Sequence, residues 1–141
     1  MTGILERARK RGGREADLPI SYKFDRKSGI TIVSCTGALT AQDLTAHWSE
    51  IYSDAHVLDG GRVLIDMRQA KVEVTKEEFV RLATVEWPAE ATAKMVIAVV
   101  VATPEQFDGA RQFQLLAREG SPHQIFFNES DARAWLKRGH S

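Results

Sequence analysis

The side chains that could take part in chemistry lie in and just after a short apolar run, Val63 to Met67. Asp66 stands near the end of that run, and Arg68, Lys71 and Glu73 follow it. An aspartate at the end of a buried strand can act as a general acid or base when a histidine or a nucleophile stands beside it. No such neighbour is evident, so we interpret Asp66 as a hydrogen-bond acceptor for nearby loop amides. Arg68 and Lys71 predict a solvated basic rim.

The remaining reactive residue types do not form a recognised motif. The histidines are too far apart in the chain for any familiar metal-ligand spacing; they are His47, His56, His123 and His140. There is no nucleophile elbow, no glycine-rich dinucleotide turn and no phosphate loop. Cys35 lies in a β-rich stretch, where a lone cysteine is interpreted as a small buried hydrophobe rather than a reactive thiol. We therefore expect a non-enzymatic protein without metal or cofactor.

Composition narrows the class of protein further. The chain has 141 residues, enough for one domain with a sizeable core. Its 19 basic and 19 acidic residues cancel, which argues against a dedicated nucleic-acid binder. A single cysteine excludes an internal disulfide. No stretch reaches the roughly 20 apolar residues of a membrane span, and no apolar signal peptide begins the sequence, so we expect a cytoplasmic protein.

The first residues differ in character from the rest. Residues 1–17 contain five basic side chains, and Ile4 and Leu5 are their only large apolar residues. So little apolar surface cannot offset the entropy lost on ordering the chain. We therefore predict a flexible basic tail over 1–17 and a single folded domain over 18–141.

The hydrophobic pattern of that domain predicts alternating strands and helices. Ile20, Tyr22 and Phe24 alternate with polar residues, and a short turn separates them from a second β-rich stretch, which predicts an antiparallel hairpin. Further apolar runs then alternate with helical patterns, and such strands pair in parallel through right-handed crossovers. The predicted fold is α/β, in the order ββαβαβαβα, with a mixed five-stranded sheet made of the N-terminal hairpin and parallel βα units.

Local signals place the helix starts. Thr40 is the expected N-cap of the first helix, and Thr75 with Glu78 has the pattern of a capping box. Thr103 begins a third helix with Gln106 at the capping-box position, and Asn128 or Ser130 caps the last. Between the strand 63–67 and Thr75, residues 68–74 are predicted to form a polar loop. We expect this loop to be a recognition edge; its candidate contacts are Asp66, Arg68, Lys71, Glu73 and Thr75.

Aromatic side chains on the helix faces allow a second kind of site. Core packing is the favoured interpretation of Trp48, and lining of a ligand pocket is the alternative. An apolar cleft between helices and sheet would draw on four side chains, Trp48, Phe79, Trp87 and Phe113.

Four stretches of the sequence carry a resemblance to a known family; they are YKFDRKSGITIVSCTGALTAQDL, VLIDMRQAKVEVT, KMVIAVVVA and the ending IFFNESDARAWL. With their order, they resemble SpoIIAA-like proteins of the STAS superfamily, a group also compared with CRAL-TRIO lipid carriers. The resemblance covers about residues 19–137. It implies a mixed sheet with helices mainly on one face, and a non-enzymatic domain.

The resemblance is incomplete at the position of the STAS phosphorylation switch. In those regulators an aspartate ends the strand, as Asp66 does here, and an Asp-Ser-Ser-Gly motif precedes the next helix and carries the phosphorylated serine. This chain has Val74-Thr75-Lys76-Glu77 instead. Thr75 is the only hydroxyl, and a phosphate on it would lie beside acidic side chains. We interpret Thr75 as an N-cap, with phosphorylation as the alternative.

Two functions follow from these observations. The first is a STAS-like regulatory or protein-interaction domain that binds an unknown protein partner. The alternative is a carrier or sensor of a small apolar, lipid-like ligand held in the cleft between helices and sheet. Neither needs nucleic acid or a transmembrane segment, and the sequence leaves a homodimer open.

Overall fold

The structure is a computed structural model that describes residues 19–51, 53–55, 61–84, 95–116 and 123–138. Along these residues the order is ββαβαβαβα, which confirms the predicted order. The strands are β1 Ile20–Asp25, β2 Ile30–Leu39, β3 Arg62–Val72, β4 Val96–Val100 and β5 His123–Phe126; the helices are α1 Ala41–Ile51, α2 Lys76–Thr84, α3 Pro104–Leu116 and α4 Glu129–Lys137. The predicted tail, 1–17, lies outside the described residues.

The five strands form one mixed sheet in the order β1-β2-β3-β4-β5. β1 and β2 are antiparallel, whereas each later strand is parallel to its neighbour. The hairpin turn is closed by Asp25, whose carbonyl accepts a hydrogen bond from the Gly29 N–H at 2.8 Å and whose carboxylate accepts one from the Ser28 hydroxyl at 2.8 Å. Gly29 has a φ of 71°, which suits glycine because it has no Cβ.

The two faces of the sheet carry different helices. Because the strand order follows the chain order, right-handed crossovers place α1, α2 and α3 on one face. Val63, Ile65 and Ile97 pack with α1 in one buried cluster, whereas Leu64 and Ala98 pack with α4 in another. The alternation along β3 and β4 therefore points successive side chains to opposite layers. Helices lie mainly on one face, as the resemblance implied.

The predicted helix starts are confirmed by cap hydrogen bonds. The Thr40 hydroxyl accepts from the Asp43 N–H at 3.2 Å, and Asp43 returns a bond to the Thr40 N–H at 3.0 Å. Of the two predicted caps of α4, Asn128 is the one observed, and its side-chain oxygen accepts from the Asp131 N–H at 2.8 Å. Each pairing satisfies a backbone donor that the helix itself leaves unpaired. No helix among the described residues is long and apolar enough to cross a membrane.

The predicted polar loop over 68–74 is wrong for most of its length. β3 continues to Val72, and Gln69 to Val72 pair with Thr36 to Leu39 of β2. Only Cys35 of β2 lies opposite the two residues Met67 and Arg68, so β3 contains a bulge there. After the extra residue, β3 pairs with β2 again. Together these two strands extend past the ends of β1 and β4.

Candidate functional site

A cleft of about 730 Å³ lies between the sheet and the layer formed by α1, α2 and α3. Its floor is apolar and crosses the sheet from one side to the other. The floor residues are Ile20 of β1, Cys35 of β2, Ile65, Met67 and Ala70 of β3, Val99 of β4 and Ile125 of β5. Each of the five strands therefore contributes at least one side chain to the same cavity.

The helices contribute the opposite wall. Leu44, His47 and Trp48 come from α1, and Phe79 and Leu82 come from α2. Gly109 and Ala110 of α3 complete this wall. A cavity of this size and composition falls within the range of roughly 300–1,000 Å³ typical of small-molecule sites, which are mainly apolar with a few polar groups.

The helices that roof the cleft are only partly buried. Ile51 of α1 and Leu136 of α4 are fully buried, but no described side chain of α2 or α3 is. Phe79 and Leu82, on the inner side of α2, are half-buried and line the cavity. The gap between these helices and the sheet is therefore what creates the cleft.

The side chain of Gln106 links the start of α3 to β3 at the mouth of the cleft. Its Nε2 donates to the carbonyls of Ala70 at 2.9 Å and Arg68 at 3.3 Å, on the edge of β3 that β4 no longer covers. Its Oε1 accepts from the backbone N–H groups of Ala102 at 2.7 Å and Thr103 at 3.2 Å. One side chain thus caps α3 and satisfies a free strand edge.

Charged side chains line the same end of the cleft. Lys76 begins α2, and Glu105 lies in the first turn of α3. Lys71 of β3 borders the cleft, but it pairs with Ala38 next to the cleft-side residue Ala70, so its side chain points to the α4 face.

Thr75 also lines the cleft here, but its hydroxyl accepts from the Glu78 N–H at 3.0 Å while Glu78 accepts from the Thr75 N–H at 2.9 Å. The predicted capping box is confirmed, and the Thr75 hydroxyl serves as the helix cap.

Asp66 and Arg68 belong to the opposite face. The Arg68 guanidinium binds both Asp66 carboxylate oxygens, at 2.9 and 2.8 Å, and also reaches Glu129 of α4 at 3.4 Å. The Arg68 N–H donates to the same carboxylate at 3.1 Å, in line with the role expected of Asp66. The hydrogen bonds from Arg68 lower the pKa of Asp66 against the opposing effect of burial. Asp66 is thereby fixed as a carboxylate that ties β3 toward α4.

The five residues predicted to form one recognition edge are therefore divided. Thr75 lines the cleft, Asp66 and Arg68 form an ion pair on the α4 face, and Glu73 is exposed just after β3. The Glu73 N–H donates to the Leu39 carbonyl at 2.8 Å. The Lys71 side chain lies on the same face as Asp66, because the bulge at Met67 and Arg68 shifts the alternation of β3 by one residue.

Two of the four predicted pocket residues do line the cleft. Trp48 and Phe79 are both half-buried and both contribute to its wall. Trp87 lies outside the described residues, and so does the side chain of Phe113. Cys35 is buried in the floor, as the sequence suggested, and burial raises the pKa of its thiol to about 12, with a further contribution from the Asp66 carboxylate. The thiol therefore stays protonated near neutral pH.

Sequence reasoning missed two residues of the cleft. His47 is buried on the inner side of α1, with its ring 5.7 Å from that of Tyr22 and 5.3 Å from that of Trp48. Its spacing of three residues from Leu44 and four from Ile51 is the signal that could have placed it there. Gln106 was predicted only as a cap, because its contact with β3 joins residues 36 positions apart.

Metal chemistry finds no support within the described ranges, where no cluster of three or more histidine, cysteine or acidic side chains could hold an ion. The polar groups that line the cleft are few against its apolar floor, and Thr75, Lys76, Glu105 and Gln106 lie together at its mouth.

Comparisons with known proteins support the fold. No family model and no curated protein matches the chain. Among solved structures, the chain is similar to an uncharacterized protein from the DUF3478 family of Shewanella loihica PV-4, described as having a SpoIIAA-like fold. The identity is 16%, the match covers 83% of this chain and 91% of that one, and the TM-score is 0.54. The chain therefore has a SpoIIAA-like fold.

Proposed function

We propose that this protein is a non-catalytic, SpoIIAA-like domain that carries or senses a small apolar ligand. The cleft between the sheet and α1, α2 and α3 is the ligand site in this proposal. The observation that carries it is the apolar floor of a cavity of about 730 Å³, to which all five strands contribute. A cytoplasmic location, expected from the sequence, is part of the proposal.

The physical argument is the apolar surface that a bound ligand would cover. A ligand in the cleft removes Met67, Val99 and Ile125 from water and gains dispersion contacts with them. Trp48 and Phe79 then add large apolar surfaces from the helix side.

The groups with catalytic potential support a binding role. Asp66 is paired with Arg68, and its lowered pKa makes it a weak proton acceptor. Cys35 has the raised pKa of a buried thiol, so little thiolate exists to attack a substrate. Neither group is prepared for general-base or nucleophilic chemistry.

The first test is to identify what the purified protein carries. A solvent extract of the full chain, analysed by mass spectrometry, should contain an apolar compound in an amount close to that of the protein. Gly109 provides a blocking variant, because it lines the cleft and a Cβ added there meets no atom within 4 Å. Gly109→Phe should place a ring in the cavity and abolish the bound compound.

Gly109→Ala is the matched control. It changes the same helical position but adds only one methyl group, so the compound should still be recovered. A melting temperature close to that of the parent chain would show that Gly109→Phe is folded. Recovery of equal amounts from both variants, or of no apolar compound from the parent chain, would count against the carrier.

A protein-interaction role of the STAS type is the second candidate. The observation that favours it is a two-stranded ribbon, Thr36–Leu39 of β2 with Gln69–Val72 of β3, which runs past the ends of β1 and β4. On it Thr36, Ala38 and Lys71 are exposed. Exposed strands held by rigid neighbours are suited to contact a partner.

Arg68→Ala combined with Lys71→Ala tests this second candidate. Both side chains are exposed, so the double variant should keep the fold while its association with a co-purified partner slows. Pull-down of the parent chain and the variant beside a thermal melt measures both effects. A variant that still binds its partner at the parent rate would place the interface elsewhere.

A further inference from the structure

The α4 face of the sheet is covered over only part of its width. α4 packs on Leu64 of β3 and on Val96, Ala98 and Val100 of β4, so the helix is centred over β4. Packed helices lie about 8–10 Å apart and paired strands about 4.8 Å apart, so the next helix position on this face is over β2. None of the described helices occupies that position, because α1, α2 and α3 lie on the other face.

The side chains that β2 presents here form a strip of small, uncharged groups, made of Ile32, Ser34, Thr36 and Ala38. Ile32 is half-buried beside the α4 core, and the other three are exposed. Short side chains let a helix approach a sheet closely. At about 3.3 Å per residue the strip is about 20 Å long, which equals about 13 residues of α-helix.

One lysine lies at each end of this strip. Lys23 of β1 pairs with Ile32, and Lys71 of β3 pairs with Ala38, so both side chains lie on the α4 face. Both are exposed, and neither forms an ion pair with the residues that the structure describes. Two cations about 20 Å apart are therefore available to a partner.

Most carboxylates beside the strip are already bonded. Asp66 and Glu129 are paired with arginines, and Asp25 is bonded within the hairpin turn. Glu73 is exposed, but it lies past the end of β3. At the other end Arg62 adds a cation on the same face, without an ion pair to any described residue. The charge of this uncovered half therefore favours an anionic partner.

We propose that the uncovered half of the α4 face binds an acidic helix of a partner protein, which lies over β2 beside α4 with carboxylates toward Lys23 and Lys71. This inference does not depend on the apolar ligand, because the cleft lies on the other face of the sheet. It gives the protein-interaction candidate a surface and a partner chemistry. A second copy of this chain fits poorly, since two such faces would bring like charges together. A nucleic acid would need cations along the strip itself, where β2 has none.

The test titrates the isotope-labelled full chain with two alanine-rich helical peptides of about 18 residues and follows the amide signals by NMR. The peptides are identical except that one face carries glutamates in the first and lysines in the second. The glutamate peptide should shift the amides of Ser34, Thr36 and Ala38 and leave those of α1, α2 and α3 in place. It should bind about tenfold more tightly than the lysine peptide, and high salt should reduce this preference.

Lys71→Glu should weaken binding of the glutamate peptide about fivefold. Arg111→Glu is the matched control, since it makes the same change of charge at an exposed position of α3 and should leave binding unchanged. Ser34→Tyr keeps every charge but fills the strip, so it should also weaken binding if the helix lies over β2. Amide spectra close to that of the parent chain show that the variants are folded.

Four outcomes would overturn the inference and leave the carrier function standing. They are equal binding of the two peptides, shifts on another surface or none at all, undiminished binding to Ser34→Tyr, and tighter binding of duplex DNA or phosphatidylserine vesicles at the same amides. The carrier function is tested separately, by the compound extracted from the purified chain.

Discussion

The two faces of the sheet differ in how completely their helices cover it. On the α4 face a single helix seals a core in which Leu64, Ala98 and Leu136 are at most 1% exposed. On the cleft face three helices enclose a cavity of about 730 Å³. The three-helix face also has a buried core, in which Leu39, Ile51 and Val63 are 0% exposed, so the cleft lies beside that core.

The difference follows from residue types as well as from geometry. α4 presents Ala132 and Leu136 to the sheet, a small and a branched side chain that let the helix lie close. Phe79 and Trp48 on the cleft side are bulky and half-buried, while Gly109 and Ala110 of the same helical wall are too small to fill the space beside them. A wall that combines bulky and very small side chains leaves a gap above the sheet.

The largest expected effect is a pair of leucine truncations, one on each face. Leu136→Ala should lower the free energy of unfolding by about 2–5 kcal/mol, because Leu136 is fully buried in the α4 core. Leu44→Ala, on the cleft wall, should cost about 1 kcal/mol or less, because its side chain is half-buried beside an existing cavity. Urea unfolding of both variants measures the difference. Equal costs would mean that the two faces are packed alike.

The second largest effect on stability is expected from the hydrogen bonds between Gln106 and β3 at the mouth of the cleft. Gln106→Glu keeps the oxygen that caps α3 but replaces the Nε2 donor with a carboxylate beside the carbonyls of Arg68 and Ala70. A loss of about 1–3 kcal/mol is expected in a urea melt, because those acceptors lose their donor. Gln112→Glu adds the same charge on an exposed position of α3 and should cost little. Similar losses in both variants would assign the effect to charge alone.

A smaller effect, of opposite sign, is expected at Gly109. Gly109→Ala should raise the free energy of unfolding by about 0.5–1 kcal/mol, since alanine favours the helix and the new Cβ meets no atom within 4 Å. Ala110→Gly, next to it in α3, is the reciprocal control and should lose a similar amount. Calorimetric melts of the two variants should therefore shift in opposite directions. A destabilised Gly109→Ala would show that no open space exists at that position.

The smallest effect concerns the ion pair on the α4 face. Asp66→Asn should cost about 0.2–1 kcal/mol near neutral pH, since the Asp66–Arg68 pair is partly exposed and screened by solvent. Because folding lowers the pKa of Asp66, its contribution is complete above the ordinary value of about 3.9 and is lost as pH falls through the folded pKa.

The difference in stability between Asp66→Asn and the parent chain should thus be constant above about pH 5 and vanish in acid. Urea melts at a series of pH values measure it. A difference that persists undiminished in acid would assign the cost to packing rather than to charge.

Local sequence signals were enough for the order of the elements and for their starts. Thr75 and Glu78 are three residues apart and satisfy each other's backbone donors, so this capping box needs no distant partner. The alternation of Ile20, Tyr22 and Phe24 likewise predicts a strand with one buried face, and that strand is β1. Such features are local in the chain and can be inferred from it directly.

The continuation of β3 through residues 68–72 could not be inferred in this way. Gln69 and Lys71 suggested a loop, but the pairing that holds them comes from β2 on one side and from Gln106 on the other. That pairing also decided which predicted site residues meet. Asp66 and Lys71, which simple alternation would send to opposite faces, share one face, because the bulge between them shifts the alternation by one residue.

The apolar residues of this sequence determined that α1 and α2 have an inner face, since Leu44, Trp48 and Phe79 recur at helical spacing. That spacing is the same whether the helix seals a core or roofs a cavity. Only the tertiary structure decided between them, because the distance of a helix from the sheet depends on the side chains that meet across the gap. At Gly109 and Ala110 those side chains are too small to close it, and the cleft remains.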